Sequence, residues 1–266
     1  MSAPKAHDNR IIASVQRALD ILNLFHSNQS ELGNAEIARL VDLPVSTVSG
    51  LVYTLKRNGY LDQNPANRKY HLGLKLAERA AALLDQMDIR KISAPFLESL
   101  HTWCDESVNL AIRDGNEVVY IERLFGDHAL GIRSELGKRG PLHSTALGKA
   151  IAAHLPECEF NDIFEQYDFA ALTPNTITNL QKFRQNIQKI RTVGYAVDEE
   201  ENEMGGRCVG VSIFDHSGYP VAAVSVSVPV QRMPDETVEK IGGKLIEIAR
   251  QISLQMGHSI QFEVNR

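Results

Sequence analysis

The chain has 266 residues, 43% of them hydrophobic and 23% charged, with a formal net charge of −5 at pH 7. That length suits one large domain or two ordinary ones, and no run of about 18 apolar residues is present, which excludes a helical membrane span. Cys104, Cys158 and Cys208 are widely spaced and form no Cys-x-x-Cys pair, so neither a zinc ribbon nor a disulfide framework is indicated and a reduced, cytoplasmic setting fits.

The first ten residues, MSAPKAHDNR, are polar and lack the apolar core of a secretory signal; they read as a tail. "SVQRALDILNLF", 14–25, places Val15, Leu19, Leu22 and Phe25 near helical spacing, with Ser14 as N-cap. "NAEIARLV", 34–41, repeats the pattern with Ile37, Leu40 and Val41 inward and Asn34 as cap. After the breaker "DLP", 42–44, the stretch 45–61 forms a second helix with Val48, Leu51, Val52 and Leu55 inward, Pro44 at its start and Gly59 closing it. Two short helices joined by a tight turn make a helix-turn-helix. Ala38 is small where the helices cross, and Ser46, Thr47 and Ser49 lie on the outward side that meets a major groove.

"YLDQNPANRKYHLG", 60–73, reads as two short strands around the turn NPAN, a wing. Lys56 and Arg57 end the second helix, and Arg68 and Lys69 sit at the return of the wing. Such a cluster contacts phosphates. The charge balance agrees: residues 1–91 carry 12 Lys and Arg against 9 Asp and Glu, whereas residues 92–266 carry 16 against 24. A basic front on an acidic body points the front at a polyanion. The alternative is a small helical domain whose hairpin packs on something else. Residues 72–89 are rich in Ala and Leu and read as one long connecting helix.

From residue 92 helices and strands mix. A helix over 93–105 is capped by Ser93, with Pro95 in its first turn. Strands follow at 108–114, 117–124 and 129–134, and helices near 145–154, 157–166 and 180–193. Strands return at 195–198, 207–214 and 219–228, and a last helix covers 235–256. Tight turns between the strands imply antiparallel pairing, so the class is α+β, with helices packed on an antiparallel sheet.

The hairpin 207–228 carries the chemistry. A turn symmetric about His216 and Ser217 sets Phe214 opposite Tyr219, Gly210 opposite Ala223, Cys208 opposite Ser225 and Gly206 opposite Ser227. Strand side chains alternate, so these residues share one face, and Val209, Val211, Ile213, Ala222, Val224 and Val226 form a core face behind them. The first face is a shallow recess of Gly, Cys, Ser and Ala. The helix beginning after Pro141 converges on it: with Ser144 or Thr145 as N-cap, the N–H groups of Ala146, Leu147 and Gly148 are left free, a natural seat for a carboxylate. Most acids of 198–203 belong to a solvated loop, and Asp198 is the one able to turn inward.

These segments resemble the IclR family of bacterial transcriptional regulators over nearly the whole chain. "SVQRALDIL" and "LPVSTVSGLVYTL" are similar to its winged helix-turn-helix, and "PLHSTALGKA" and "GYAVDEEENEMGGRCVGVSIFDHSGYPVAAVSVSVP" to its two most distinctive segments. The resemblance implies a winged helix-turn-helix over 1–72, a linker helix over 73–90 and a GAF-like domain over 91–266 that binds an effector and oligomerises. It implies a homodimer or homotetramer, a double-stranded operator DNA partner and a repressor whose effector is a small organic acid. No cofactor, metal or catalytic residue is implied. Carried over, the effector residues are Ala146, Leu147, Asp198, Cys208, Ser225 and Ser227, and the DNA-facing residues are Asn34, Ser46, Thr47, Ser49, Gly50, Tyr53, Lys56, Arg57, Arg68 and Lys69. The chain departs from many members in the turn, where Asp42-Leu43-Pro44-Val45 replaces Gly-Leu-Pro-Lys, and at Ser49-Gly50, where an Arg often lies. One Arg–guanine pair is worth roughly 1–3 kcal/mol of discrimination, so its absence makes the operator sequence hard to infer from relatives. The rival readings are a Cys hydrolase, with Cys208 as nucleophile and His143 or His216 as base, and a DNA-binding structural protein without a ligand.

Overall fold

In the computed structural model the chain is described over residues 11–26, 29–128 and 135–258. The tail 1–10 and the strand expected at 129–134 lie outside the described residues. The chain divides into two compact units, residues 1–86 and 87–266.

The first unit holds helices α1 (Ala13–Leu22), α2 (Asn34–Leu40) and α3 (Val45–Arg57), the paired strands β1 (Leu61–Gln63) and β2 (Tyr70–Leu72), and helix α4 (Lys75–Leu84). Ile21, Phe25, Leu32, Ile37, Val48, Val52 and Leu61 form its core. Here the expectation for α1 is corrected. Only its last turn reaches the core, through Ile21 and the half-buried Leu22, while Val15 and Leu19 are 54% and 49% exposed. Leu40 also faces outward. The expected caps change too. α1 begins after Ile12 without a side-chain cap, and α2 is closed by Glu36, which accepts the Gly33 N–H at 2.7 Å, not by Asn34.

Between α2 and α3 the chain turns at Asp42, whose φ of 52° is the left-handed conformation that an Asp tolerates. Pro44 precedes α3 as expected. Gly59 (φ 77°) ends it, and Gly73 packs on Gly59: a Cβ at Gly73 would fall 2.1 Å from the Gly59 carbonyl oxygen. That contact returns the wing to the end of α3.

The single helix expected over 72–89 is two. α4 stops at Leu84, and helix α5 (Asp88–Cys104) starts after Met87, which is extended. The charges explain the break. Asp85 sits where a C-terminal dipole disfavours an acid, and Asp88 where an N-terminal one favours it. Ser93 and Pro95 consequently lie inside α5, not at its start.

The second unit continues with β3 (Ser107–Asp114), β4 (Glu117–Leu124), β5 (Arg139–Pro141), α6 (Ala146–His154), α7 (Glu157–Phe164), α8 (Leu180–Val193), β6 (Ala196–Glu199), β7 (Gly206–Phe214), β8 (Pro220–Pro229) and α9 (Asp235–Gln255). All pairings are antiparallel, in the order β5-β4-β3-β8-β7-β6. Strand β5 was not expected from the sequence. One face of the sheet, with Ala111, Ala196 and Ala223, packs under α6, α7 and α8. The opposite row of Val209, Ile213, Ala222, Val224 and Val226 is fully buried.

The β7–β8 register differs from expectation. Phe214 faces Pro220, Val221 is skipped, and Ile213 faces Ala222; from there Gly210 faces Ser225 and Cys208 faces Ser227. The bulge falls beside Pro220, which has no N–H for the ladder. The pairing moves by two residues relative to the symmetric turn. A shift of two keeps every side chain on its expected face, so the recess survives although its partners change.

Candidate functional site

Two rows of small polar residues cross the sheet on the α6 side. Asp198, Cys208, Ser227 and Ser107 stand opposite one another in one row, and Gly210, Ser225 and Asn109 in the next. The first turn of α6 lies on this floor. A Cβ at Gly210 would come within 2.8 Å of the Ala146 carbonyl oxygen, so only glycine lets the helix start rest directly on β7. Thr145 caps α6: its Oγ1 accepts the Gly148 N–H at 3.0 Å and donates to the Pro141 carbonyl at 2.8 Å. This corrects one detail, because the Gly148 N–H is used. Those of Ala146 and Leu147 have no acceptor among the described residues. The space enclosed is a cavity of about 40 Å³. Ala146, Leu147, Asp198, Cys208, Ser225 and Ser227 all line it, and Tyr120, Gly140 and Asn202 help complete the wall.

Asp198 is buried, and its Oδ1 accepts the N–H groups of Glu201 at 2.7 Å and Asn202 at 3.2 Å. Burial pushes its carboxyl up to about 7, against the pull of nearby Lys149 and of those two N–H groups. Lys149 is fully buried, pairs with Glu201 and donates to the Val197 carbonyl at 2.5 Å. Burial raises the Glu201 carboxyl. Burial, then the charge of Asp198, push the Cys208 thiol far above its ordinary value. The side chain therefore stays S–H, the opposite of an activated nucleophile. His143 is buried, its ring held by Tyr167 and the Ala170 carbonyl, and burial lowers its basicity. Neither His143 nor His216 lines the cavity.

In the first unit the DNA-facing candidates gather on α3 and the wing. Ser46, Gly50, Tyr53, Arg57 and Arg68 are exposed, and Thr47 is half-buried. Ser49 is partly engaged: its Oγ accepts from Asn34 Nδ2 at 3.3 Å and donates to the Val45 carbonyl at 2.9 Å. Lys56 donates to Gln63 at 3.0 Å, and Lys69 lies 3.3 Å from Glu36. Glu31 accepts from Asn64 at 3.0 Å and Asn67 at 2.7 Å, which fixes the turn of the wing.

Comparison with known families decides what this pairing of units is. Residues 14–65 match the IclR helix-turn-helix domain, and residues 81–254 match the bacterial transcriptional regulator IclR C-terminal domain. The chain belongs to the IclR family. It is 38% identical over 248 residues to the HTH-type transcriptional regulator XynR of Escherichia coli K12, covering 93% of this chain and 98% of that protein. The E. coli K12 repressor AllR is 31% identical over 244 residues, covering 92% and 90%. Among solved structures, Thermotoga maritima IclR superposes with a TM-score of 0.80 at 36% identity, covering 92% of this chain and 99% of that one. An IclR homolog from Microbacterium hydrocarbonoxydans, solved with 4-hydroxybenzoate, has a TM-score of 0.77 at 25% identity, covering 91% and 98%.

This IclR-family chain is thus a transcriptional regulator that pairs a DNA-binding helix-turn-helix domain with the family's C-terminal domain. Among its described residues no helix is long and apolar enough to cross a membrane, and no group of three or more His, Cys, Asp or Glu could hold a metal. Sequence reasoning missed Lys149, Glu201 and Asn109, all buried around the recess. The lone lysine in "ALGKAIAAH" was the available signal, because its helical neighbours are apolar on every side.

Proposed function

We propose that this regulator represses transcription in the cytoplasm and that a small organic acid in the α6–β7–β8 cavity controls it. The acid's carboxylate takes the Ala146 and Leu147 N–H groups, and its other end meets Asp198, Cys208, Ser225 and Ser227. One observation carries this reading: the six residues singled out from the sequence line one cavity, with two unspent N–H donors above a polar floor. The volume of about 40 Å³ holds only a few waters at roughly 10–15 Å³ each, so the guest is small or the rim opens around it. The 4-hydroxybenzoate bound by the Microbacterium relative supports the acid chemistry.

On the DNA side, Ser46, Thr47, Gly50 and Tyr53 read base edges, with Ser49 held against Asn34. Lys56, Arg57, Arg68 and Lys69 hold phosphates. Two copies pair, supported by the exposed apolar run Ile11, Ile12, Val15 and Leu19 at the start of α1, and their recognition helices meet half-sites about 34 Å apart or a multiple of that. Effector binding acts by favouring one arrangement of the paired DNA-binding units. A hydrolase role is set aside because the Cys208 thiol is held protonated and neither His143 nor His216 lines the cavity.

The test uses full-length protein, its own upstream region and a panel of acetate, glycolate, benzoate and 4-hydroxybenzoate. Cys208→Leu fills the cavity. It should retain DNA binding and abolish any acid-induced release; release that persists unchanged removes Cys208 from the site.

A further inference from the structure

Asn109 is outside the set of effector residues, yet it lies at the centre of the floor. It stands on β3 opposite Ser225 and is 1% exposed. Its Nδ2 donates to Ser225 Oγ at 3.3 Å and to Ser227 Oγ at 3.1 Å, so one amide group spends both of its N–H bonds on the two serines. Its Oδ1 is buried without a partner. The reversed amide would leave two buried N–H donors unpaired where the observed one leaves a single carbonyl oxygen, so the observed orientation is preferred.

A serine hydroxyl has one proton and two lone pairs. Once a lone pair on each serine is occupied by Asn109, each keeps its own proton to donate. Cys208 stands opposite Ser227 and is hydrogen-bonded to it, so one proton of that pair is spent between them and one remains to give. The unspent N–H groups of Ala146 and Leu147 enclose the same cavity. Donors therefore line the floor and the helix start. Asp198, Asn202 and Glu203 place acceptor oxygens at one edge.

We propose that Asn109 is a specificity-determining residue: by donating to Ser225 and Ser227 it keeps the proton of Ser225 and one proton of the Ser227–Cys208 pair for the cavity, so the floor favours guests that present acceptor oxygens over isosteric guests that present N–H donors. This rests on the reading of the cavity as the effector site and adds to it the hydrogen-bond polarity of the floor and the residue that sets it. Asn109 acts through the serines and does not line the cavity.

Two measurements on the full chain test it. Neutron diffraction from deuterated protein should show both Asn109 N–D bonds aimed at the serine oxygens and the Ser225 O–D bond aimed into the cavity. Serine deuterons aimed at Asn109 Oδ1 would overturn the proposal, whether or not Asn109 variants fold. The second measurement is titration calorimetry with glycolate and benzoate, each against its amide. Asn109→Asp turns the floor residue into an acceptor and should weaken acid binding about tenfold or more. In the Ser225→Ala/Ser227→Ala background the same change should alter affinity less than about twofold, since no hydroxyl remains to reorient. An equal loss in both backgrounds would mean that Asn109 is merely structural, and the proposal falls. If wild-type protein binds none of the acids, the effector reading fails, and the neutron map still decides the polarity of the serines.

Discussion

Lys149 and Glu201 form an ion pair with side-chain exposures of 0% and 5%, and Glu201 lies in the loop after β6 whose N–H groups Asp198 accepts. A lysine this deep is stable only with a partner. The pair joins α6, whose first turn covers the cavity, to the 200–205 loop, which Thr173 and Thr176 hold from the other side through the Glu200 and Glu201 carbonyls. Lys149→Met should therefore strand a buried carboxylate and cost about 3–5 kcal/mol. Lys149→Met combined with Glu201→Leu should recover much of that loss. Urea unfolding of the three variants checks this; a double variant no more stable than the single one contradicts it.

The raised carboxyl of Asp198 gives the site a pH dependence with a defined sign. Its value is about 7 in the fold against an ordinary 3.8. The folded state therefore keeps a proton that the unfolded chain releases. Its contribution to stability is intact below about 3.8 and declines as pH rises toward 7, a loss on the order of 4 kcal/mol. A carboxylate guest placed beside Asp198 prefers the protonated form, so acid affinity should fall about tenfold between pH 6 and pH 8. Lys149 and Glu201, the charged groups nearest Asp198, oppose each other's influence on it. Titration calorimetry of wild type and Asp198→Asn decides the point: the variant should bind with a nearly flat profile, and an unchanged slope would assign the dependence elsewhere.

Gly210 tests the geometry without touching a polar group. Alanine there puts a methyl 2.8 Å from the Ala146 carbonyl oxygen, which is backbone and cannot swing aside. The start of α6 must lift, at a cost of about 1–3 kcal/mol, and the Ala146 and Leu147 N–H groups move with it. Gly210→Ala should lower the melting temperature and weaken acid binding together. Gly243→Ala, where an added Cβ meets nothing within 4 Å, should do neither.

The face of the recess was legible in the sequence because strand alternation depends only on parity. Cys208, Ser225 and Ser227 share a face whichever even register the hairpin adopts. Their partners were not legible, because the bulge arises from Pro220 beside the turn and a symmetric loop hides it. The helix-turn-helix was readable from Ala38, Pro44 and Gly59, each fixed by local backbone demands. The orientation of α1 was not, since Val15 and Leu19 obey helical spacing yet face away from the core of their unit. Asn109 could not be found from its neighbours in sequence: it matters only because β3 pairs with β8, a contact between residues more than a hundred positions apart. Glu201 was hidden for the same reason, since it looks solvated until Lys149 is placed beside it, whereas Lys149 carried a local signal in its apolar helical neighbours.

The four basic residues assigned to phosphates do not stand in equivalent positions. Arg57 and Arg68 are exposed, whereas Lys69 lies 3.3 Å from Glu36 and Lys56 donates to Gln63. A phosphate approaching Lys69 must compete with a carboxylate already held below its ordinary value by the Gly33 N–H and by Lys69 itself. Each full phosphate contact contributes about 0.9 to the slope of log affinity against log salt. Arg57→Ala and Arg68→Ala should each reduce that slope by nearly this amount. Lys69→Ala should reduce it by less, because the charge it removes is partly neutralised within the protein. Gel shifts on the operator across a range of KCl concentrations measure all three. Equal changes in slope would show that DNA releases Lys69 from Glu36 entirely, and slopes unaffected by any of the three would take the wing and the end of α3 off the phosphate backbone.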